Sequence, residues 1–314
     1  LSPSIGNYLV GIKPTVGRVS RHGVIPITAD QDTPGPMTRT VRDAALMLGA
    51  MEGRTPDPND EATKTCAPPP RNDYTAFLDA NALRGARIGI PRTFFYDRTV
   101  PPAGGSGNPR GGLGEEQRKI MTEVIALLKD RGAIIVDPAE IPSVVEPDSE
   151  MNFLNWGVCS GLGNAKGLDA DCSISFKYGM KRDFNTWLAS LGDRAPVKTL
   201  TELRQWNIAH QRAGAIKYGQ ANLDVSDEMS VQGDRAKYVA DRRKDLLLSA
   251  TNGLDAVVKN HQLDAILFPG VASANIGARA GYPTVFVPYG FIPVGAGTGA
   301  NAFPAGFEPR PAPY

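Results

Sequence analysis

Few side chains in this sequence have a type and spacing that suggest covalent chemistry, and two of them stand at its start. Ser2 and Ser4 flank a proline in Leu1-Ser2-Pro3-Ser4. A serine attacks a carbonyl carbon only when a placed base takes its proton, and neither serine has a base at a recognisable offset. Turn hydroxyls beside a proline are therefore the expected role of both; nucleophilic attack by one of them is the alternative. Asp32 and Thr33 follow within Gln31-Asp32-Thr33-Pro34-Gly35-Pro36. Two prolines around a glycine predict an Asx-type turn at the entry to a helix, with support of a catalytic loop as the functional alternative. His22, beside Gly23, is expected at the surface, and His210 is structural or exposed in a polar helix. His261 falls between a helix and a strand, where the last carbonyls of the helix favour a cation. Cys66, Cys159 and Cys172 form no CxxC pair and no zinc spacing, so no metal is expected. Buried free thiols are the preferred state, with a Cys159–Cys172 bridge as the alternative in an oxidising compartment.

Composition narrows the class of protein around these groups. The 314 residues suffice for a large core in one or two domains. A hydrophobic share of 41% with 21% charged residues is that of a soluble globular chain. Lys plus Arg number 34 against 33 Asp plus Glu, for a formal charge of +1. No basic surplus points to nucleic acid, and no apolar run approaches the roughly 18 residues of a membrane helix. The sequence starts without an initiator Met or a signal peptide and ends in the turn-rich Pro304–Tyr314 stretch, so both ends read as cut and the compartment is left open.

The elements that must position these residues are legible in part. Tyr8 to Ile12 reads as a strand stopped by Lys13-Pro14, and Val24 to Ile27 as a second short apolar run. Thr40 is the expected N-cap of a helix, with Asp43 as its capping-box partner. Val41, Ala44, Ala45, Leu48 and Met51 form the apolar stripe, and Gly53 offers a left-handed stop. Arg39 and Asp43, four apart, predict a surface ion pair. Residues 53–72 form a long proline-rich loop, and Tyr74 to Leu78 a short helix. Residues 98–114 are a Gly/Pro-rich excursion, whose Gly104-Gly105-Ser106-Gly107 lacks the lysine of a phosphate loop. Arg87 to Pro91, Glu115 to Arg131 and Ala133 to Val136 then read strand, helix, strand, the signature of a parallel sheet. Ile120, Val124, Leu127 and Leu128 mark the buried stripe of that helix. Residues 148–262 are mostly helical, with Asp245 to Lys259 as one helix. Ala265 to Phe268 is an apolar strand expected to be covered on both faces. Thr284 to Pro288 is the last strand.

Two long stretches carry a resemblance. The segments GIKPTVGRVSRHGVIPI and QDTPGPMTRTVRDAALMLGA, with LDAILFPG and ARAGYPTVFVPYGF near the end, resemble the amidase signature family of serine hydrolases. The resemblance brackets nearly the whole chain and implies its fold: a mixed, largely parallel central sheet covered by helices on both faces, here incomplete. It implies one amidase-type domain over 1–314, truncated at both ends, with 148–262 as a helical insertion forming the substrate cleft. Its chemistry would be hydrolysis of a carboxylic amide through an acyl-serine. A lysine held neutral in a dry pocket would act through a serine in a cis peptide, with backbone N–H groups holding the oxyanion. No cofactor is needed.

In the family pattern Ser, aliphatic, usually Arg, any residue, Pro, the proline matches Pro3. The nucleophile then lies two residues before Leu1, Leu1 stands where the arginine is usual, and the whole Ser–cisSer–Lys triad falls upstream. The partner of this chain would be the missing N-terminal segment of the same protein; a homodimer is left open. Phe153 and Trp156 in the insertion, and Tyr282, Tyr289 and Phe291 in the last matching segment, are the expected contacts of a small-molecule or peptide-like amide. The alternative readings are a non-catalytic fragment or scaffold subunit, and an amidotransferase-type subunit that requires a partner chain.

Overall fold

A computed structural model describes residues 2–102, 107–295, 303–304 and 306–314. Leu1 and most of the Gly104–Gly107 motif lie outside the described residues. The chain opens with a single turn, α1 (Ser2–Gly6), then β1 (Val10–Lys13), β2 (Met37–Thr38) and α2 (Val41–Met51). The parallel unit follows as β3 (Arg87–Gly89), α3 (Glu115–Asp130) and β4 (Ile134–Val136). Next come α4 (Pro142–Val145), β5 (Gly157–Val158), β6 (Cys172–Ser173), α5 (Ser175–Ser190), α6 (Leu200–Ala209), α7 (Ala221–Asp227) and α8 (Arg235–Leu246). The last elements are α9 (Asp255–His261), β7 (Ala265–Ile266), α10 (Ala274–Ala280), β8 (Thr284–Phe286), β9 (Phe291–Ile292) and β10 (Ala312–Pro313).

The α/β class expected from the sequence is observed, with its strands in separate pieces among the described residues. β4, β3 and β7 form a parallel sheet, with Arg87 opposite Ile134 and Ile88 opposite Ala265. β2, β1 and β8 form an antiparallel one, with Gly11 opposite Met37 and Phe286. The main core lies under the parallel sheet and joins Ile90, Phe95, Ile141, Leu248, Val257 and Ile276. A separate apolar cluster around Phe184, Leu188 and Leu200 binds α5 to α6.

Local chemistry explains the element ends. The Thr40 hydroxyl accepts the Asp43 N–H at 3.1 Å and satisfies one orphan donor of α2. Ala44, Ala45 and Leu48 face inward as the stripe predicts, whereas Val41 is 43% exposed. The stop is Glu52 in extended conformation and not a left-handed Gly53, because the buried Glu52 carboxylate is held by Arg18 at 3.0 Å and by the Tyr74 hydroxyl at 2.5 Å. Those partners fix the chain direction before Gly53 is reached. Among the described residues Arg39 and Asp43 form no ion pair. Val24 and Ile25 form no strand and are exposed, because the following turn belongs to Asp32. The single helix expected over 245–259 is broken: α8 passes into a wider π segment at Leu247, and Gly253 leaves helical conformation before α9 begins.

The cysteine expectation is corrected. Cys159 and Cys172 are joined, with Cα atoms 5.2 Å apart, and Cys66 alone is free. β5 and β6 pair in parallel with Gly157 opposite Cys172, which brings the two thiols within bridging reach although 13 residues separate them. A loop of this size predicts that reduction lowers unfolding free energy by about 3 kcal/mol. Urea unfolding with and without dithiothreitol, compared with a Cys66→Ala control, measures it.

Candidate functional site

The start of the chain meets its end. α1 packs beside β1, and Gly270 brings the Tyr314 ring and the Ile5 side chain to the same turn. Ser4 is buried, and its hydroxyl sits where a side chain on Gly11 would be, so a Cβ there would lie 2.2 Å from Ser4 Oγ. Close approach of α1 to β1 thus requires glycine at 11 and holds the Ser4 hydroxyl against β1. Ser2 is exposed on α1. Among the described residues no lysine Nζ donates to a serine hydroxyl. Lys177, fully buried, is held by the Asn164 carbonyl at 2.7 Å and by Asp169 at 3.0 Å.

Lys13, at the end of β1, is a titratable group that sequence reasoning passed over. Its ammonium donates to the Pro14 carbonyl at 3.3 Å, and burial pushes its pKa down to about 8. The folded chain therefore holds this proton less tightly than the unfolded chain, whose lysines titrate near about 10.4. Between those values the unfolded state binds more protons, so stability rises with pH from about 8 towards 10. Thermal melts across that window should show the rise, and Lys13→Met should remove it.

Asp32 does not make the expected Asx turn onto the residues ahead of it, because residue 34 is a proline with no N–H; its carboxylate reaches back and accepts the N–H groups of Ile27 at 2.8 Å and Thr28 at 2.9 Å. Burial pushes the carboxyl up, against those two bonds. The turn docks on the helical region, where Thr28 closes on Gly179 and the Ala29 N–H donates to Asp183. Nearby, Tyr238 donates to Asp30 at 2.9 Å, and Arg182 lies over the Tyr238 ring. The Thr33 hydroxyl is buried beside this turn without a hydrogen-bond partner.

The five aromatic residues do not form one wall. Phe291 stacks on Tyr8 at 4.5 Å, close to α1, whereas Tyr289 lines a groove over the α3 stripe with Ile120 and Val124. Tyr282 instead bonds Asp255 of α9, and burial with that bond pushes its hydroxyl up to about 12. Phe153 and Trp156 are 6% and 7% exposed and belong to the main core. One edge of Trp156 reaches a polar cavity of about 470 Å³ that also receives Lys244, which stands 4.2 Å over the indole.

Behind Trp156 lies a buried polar network that the sequence reading missed. Asp245, 1% exposed in its side chain, accepts Trp156 Nε1–H at 2.9 Å and Ser173 Oγ–H at 2.7 Å. Arg279 approaches the same carboxylate at 3.5 Å and donates to the Trp156 carbonyl at 2.7 Å. Its Nε and Nη2 have no partner, and burial pushes its pKa down, with Asp245 opposing. The available signal was Asp241 and Asp245, four apart on one face of α8 and both buried.

This α/β arrangement, with its parallel strand–helix–strand unit and a C-terminal strand returned beside the first, now meets its relatives. A family model described as Amidase matches residues 1–301, and the chain belongs to that family. It is 30% identical over 309 residues to a probable amidase of Arabidopsis thaliana, covering 96% of this chain and 51% of that protein. A crystal structure of the peptide amidase of Stenotrophomonas maltophilia superposes with a TM-score of 0.69 at 31% identity, covering 93% of this chain and 53% of that one. A glutamyl-tRNA(Gln) amidotransferase subunit of Roseobacter denitrificans is 40% identical over 135 residues, 43% of this chain and 23% of that protein. The chain spans about half the length of the curated relatives it matches along most of its own length. Among the described residues no helix is long and apolar enough to cross a membrane, and no group of three or more His, Cys, Asp or Glu is placed to hold a metal ion.

Proposed function

We propose that the polypeptide to which this sequence belongs hydrolyses a carboxylic amide, small or peptide-like, through an acyl-serine intermediate. The Ser–cisSer–Lys triad stands upstream of Leu1. Family membership over residues 1–301 is the observation that carries the reading. The local geometry supports the upstream placement, since Ser4 is enclosed and, among the described residues, no basic side chain is hydrogen-bonded to Ser2 or Ser4. Phe291, stacked on Tyr8 close to α1, and Tyr289 are the aromatic residues offered to the acyl or leaving group. Residues 148–262, packed on the Asp32 turn, form the helical wall of the cleft, with Trp156 at its inner edge. Asp32 and Thr33 hold the loop between that wall and β1.

Likeness to a peptide amidase over 93% of this chain favours a peptide-like amide. The match to the glutamyl-tRNA(Gln) amidotransferase keeps a second reading, in which the protein works with partner chains, but it spans only 43% of this chain. A fluorophosphonate probe applied to the full-length gene product, followed by peptide mapping, tests the assignment. The expected adduct is on a serine before Leu1. An adduct on Ser2 or Ser4, or hydrolysis of a p-nitroanilide by the 314-residue chain alone, overturns it.

A further inference from the structure

The polar cavity beside Trp156, of about 470 Å³, is walled by segments that are each held in place from outside it. On one side the Cys159–Cys172 bridge closes the base of the 160–171 loop. Lys177 holds that loop through the Asn164 carbonyl and Asp169, and the N–H groups of Gly161 and Lys166 donate to Asn222 and Glu228. On the other side Arg110 exchanges backbone hydrogen bonds with Thr99 at 2.8 and 3.0 Å, and Asn155 is tied to Ser149 at 3.1 Å. At the inner end Asp245 fixes the indole of Trp156.

Four charged side chains line the cavity, two of each sign: Arg110, Lys244, Glu150 and Asp171. Two of them answer each other, since Lys244 stands 3.5 Å from Glu150 while it covers the Trp156 ring. The other two have no counter-charge. Among the described residues Arg110 forms no ion pair, and its guanidinium donates only to neutral oxygens, the Leu154 carbonyl at 3.3 Å and Asn155 Oδ1 at 3.4 Å. The Asp171 carboxylate, exposed at the end of the loop, makes neither an ion pair nor a hydrogen bond among those residues. One unanswered positive group and one unanswered negative group thus line the same space.

We propose that this cavity binds a short peptide with both ends free, its carboxylate on Arg110 and its ammonium on Asp171. The volume falls in the range of small-molecule sites. A guanidinium donates two parallel bonds to a carboxylate, and Leu154, Trp156 and Val158 give the intervening chain an apolar wall. Selectivity follows from desolvation. A ligand with one charge takes water from the opposite lone group without pairing it, whereas a zwitterion answers both. The inference rests on the proposed function only for the source of the ligand: water cleaving a peptide's terminal amide releases ammonia and leaves a peptide with a free carboxylate.

Isothermal titration of the full-length gene product with 5-aminopentanoate tests it. This compound holds its ammonium and carboxylate as many bonds apart as glycylglycine does and has no amide to be cleaved. Pentanoate and pentylamine are its single-charge counterparts. At neutral pH it should bind about tenfold more tightly than either. Arg110→Gln should erase its advantage over pentylamine and keep its advantage over pentanoate. Asp171→Asn should do the opposite, a split that a merely structural role for either residue would not give. Equal binding of the three compounds overturns the proposal. So does a preference that the variants leave untouched, or one that either variant abolishes in both respects at once. A fluorophosphonate adduct before Leu1 without this selectivity sinks the inference and leaves the proposed chemistry standing; the selectivity with an adduct on Ser2 or Ser4 does the reverse.

Discussion

Replacing Asp245 by Ala should destabilise the chain by about 3–5 kcal/mol, the usual cost of leaving a buried partner charge uncompensated. The carboxylate ties three elements together: Trp156 beside β5, Ser173 in β6 and Arg279 in α10. Its removal strands an indole N–H and a hydroxyl, and leaves the Arg279 guanidinium, already two donors short, without its counter-charge. Asp245→Asn keeps a side-chain acceptor and should cost less. The pair Asp245→Asn with Arg279→Met should recover most of the loss, because an apolar replacement of both charges avoids their desolvation. Urea unfolding of the wild type, the single variants Asp245→Asn and Arg279→Met, and their double measures the coupling. A double variant no better than Asp245→Asn alone would show that the hydrogen bonds, and not the charges, set the cost.

Gly17→Ala should cost about 3 kcal/mol or more. Gly17 sits at φ 89°, where a Cβ is strained, and that Cβ would stand 2.1 Å from the Ala62 carbonyl oxygen. The neighbour is backbone, anchored because Asp60 caps its own turn and holds Arg21, so it cannot yield cheaply. Gly23 provides the control. It has φ 81° but open space around it, so Gly23→Ala pays the backbone strain alone, about 1 kcal/mol. Equal losses at the two sites, read as shifts in urea midpoint, would mean that contact with the 57–65 loop adds nothing.

Gly17 marks where sequence reading runs out. It reads as punctuation in a polar crossing, but its contact lies 45 residues on, in a loop whose proline-rich composition announces only that it is a loop. The α3 stripe shows the same limit. Its period correctly predicts a helix, yet Leu127 is 40% exposed, because the stripe faces a groove and not a closed core. Periodicity reports which face is apolar and not what covers it.

The site divides in the same way. Asp32 was legible only as a polar turn residue: its two bonds reach residues four and five positions back, not the residues ahead of it that the motif suggested. The aromatic set was not. Phe291 stacks on Tyr8, Tyr289 lines the groove over α3, and Trp156 is tied into the core by Asp245 and Arg279, 89 and 123 residues away.

By itself, then, the sequence determined the family, the strand–helix–strand unit and the Thr40 cap, all of which depend on local pattern or on long unbroken motifs. Tertiary structure alone decided the Cys159–Cys172 bridge, the Asp245–Arg279 pair, the enclosure of Ser4 and the groove between β7 and β8. Each of these is a contact between segments whose meeting is set by how helices and strands stack, and a linear pattern carries no record of that distance.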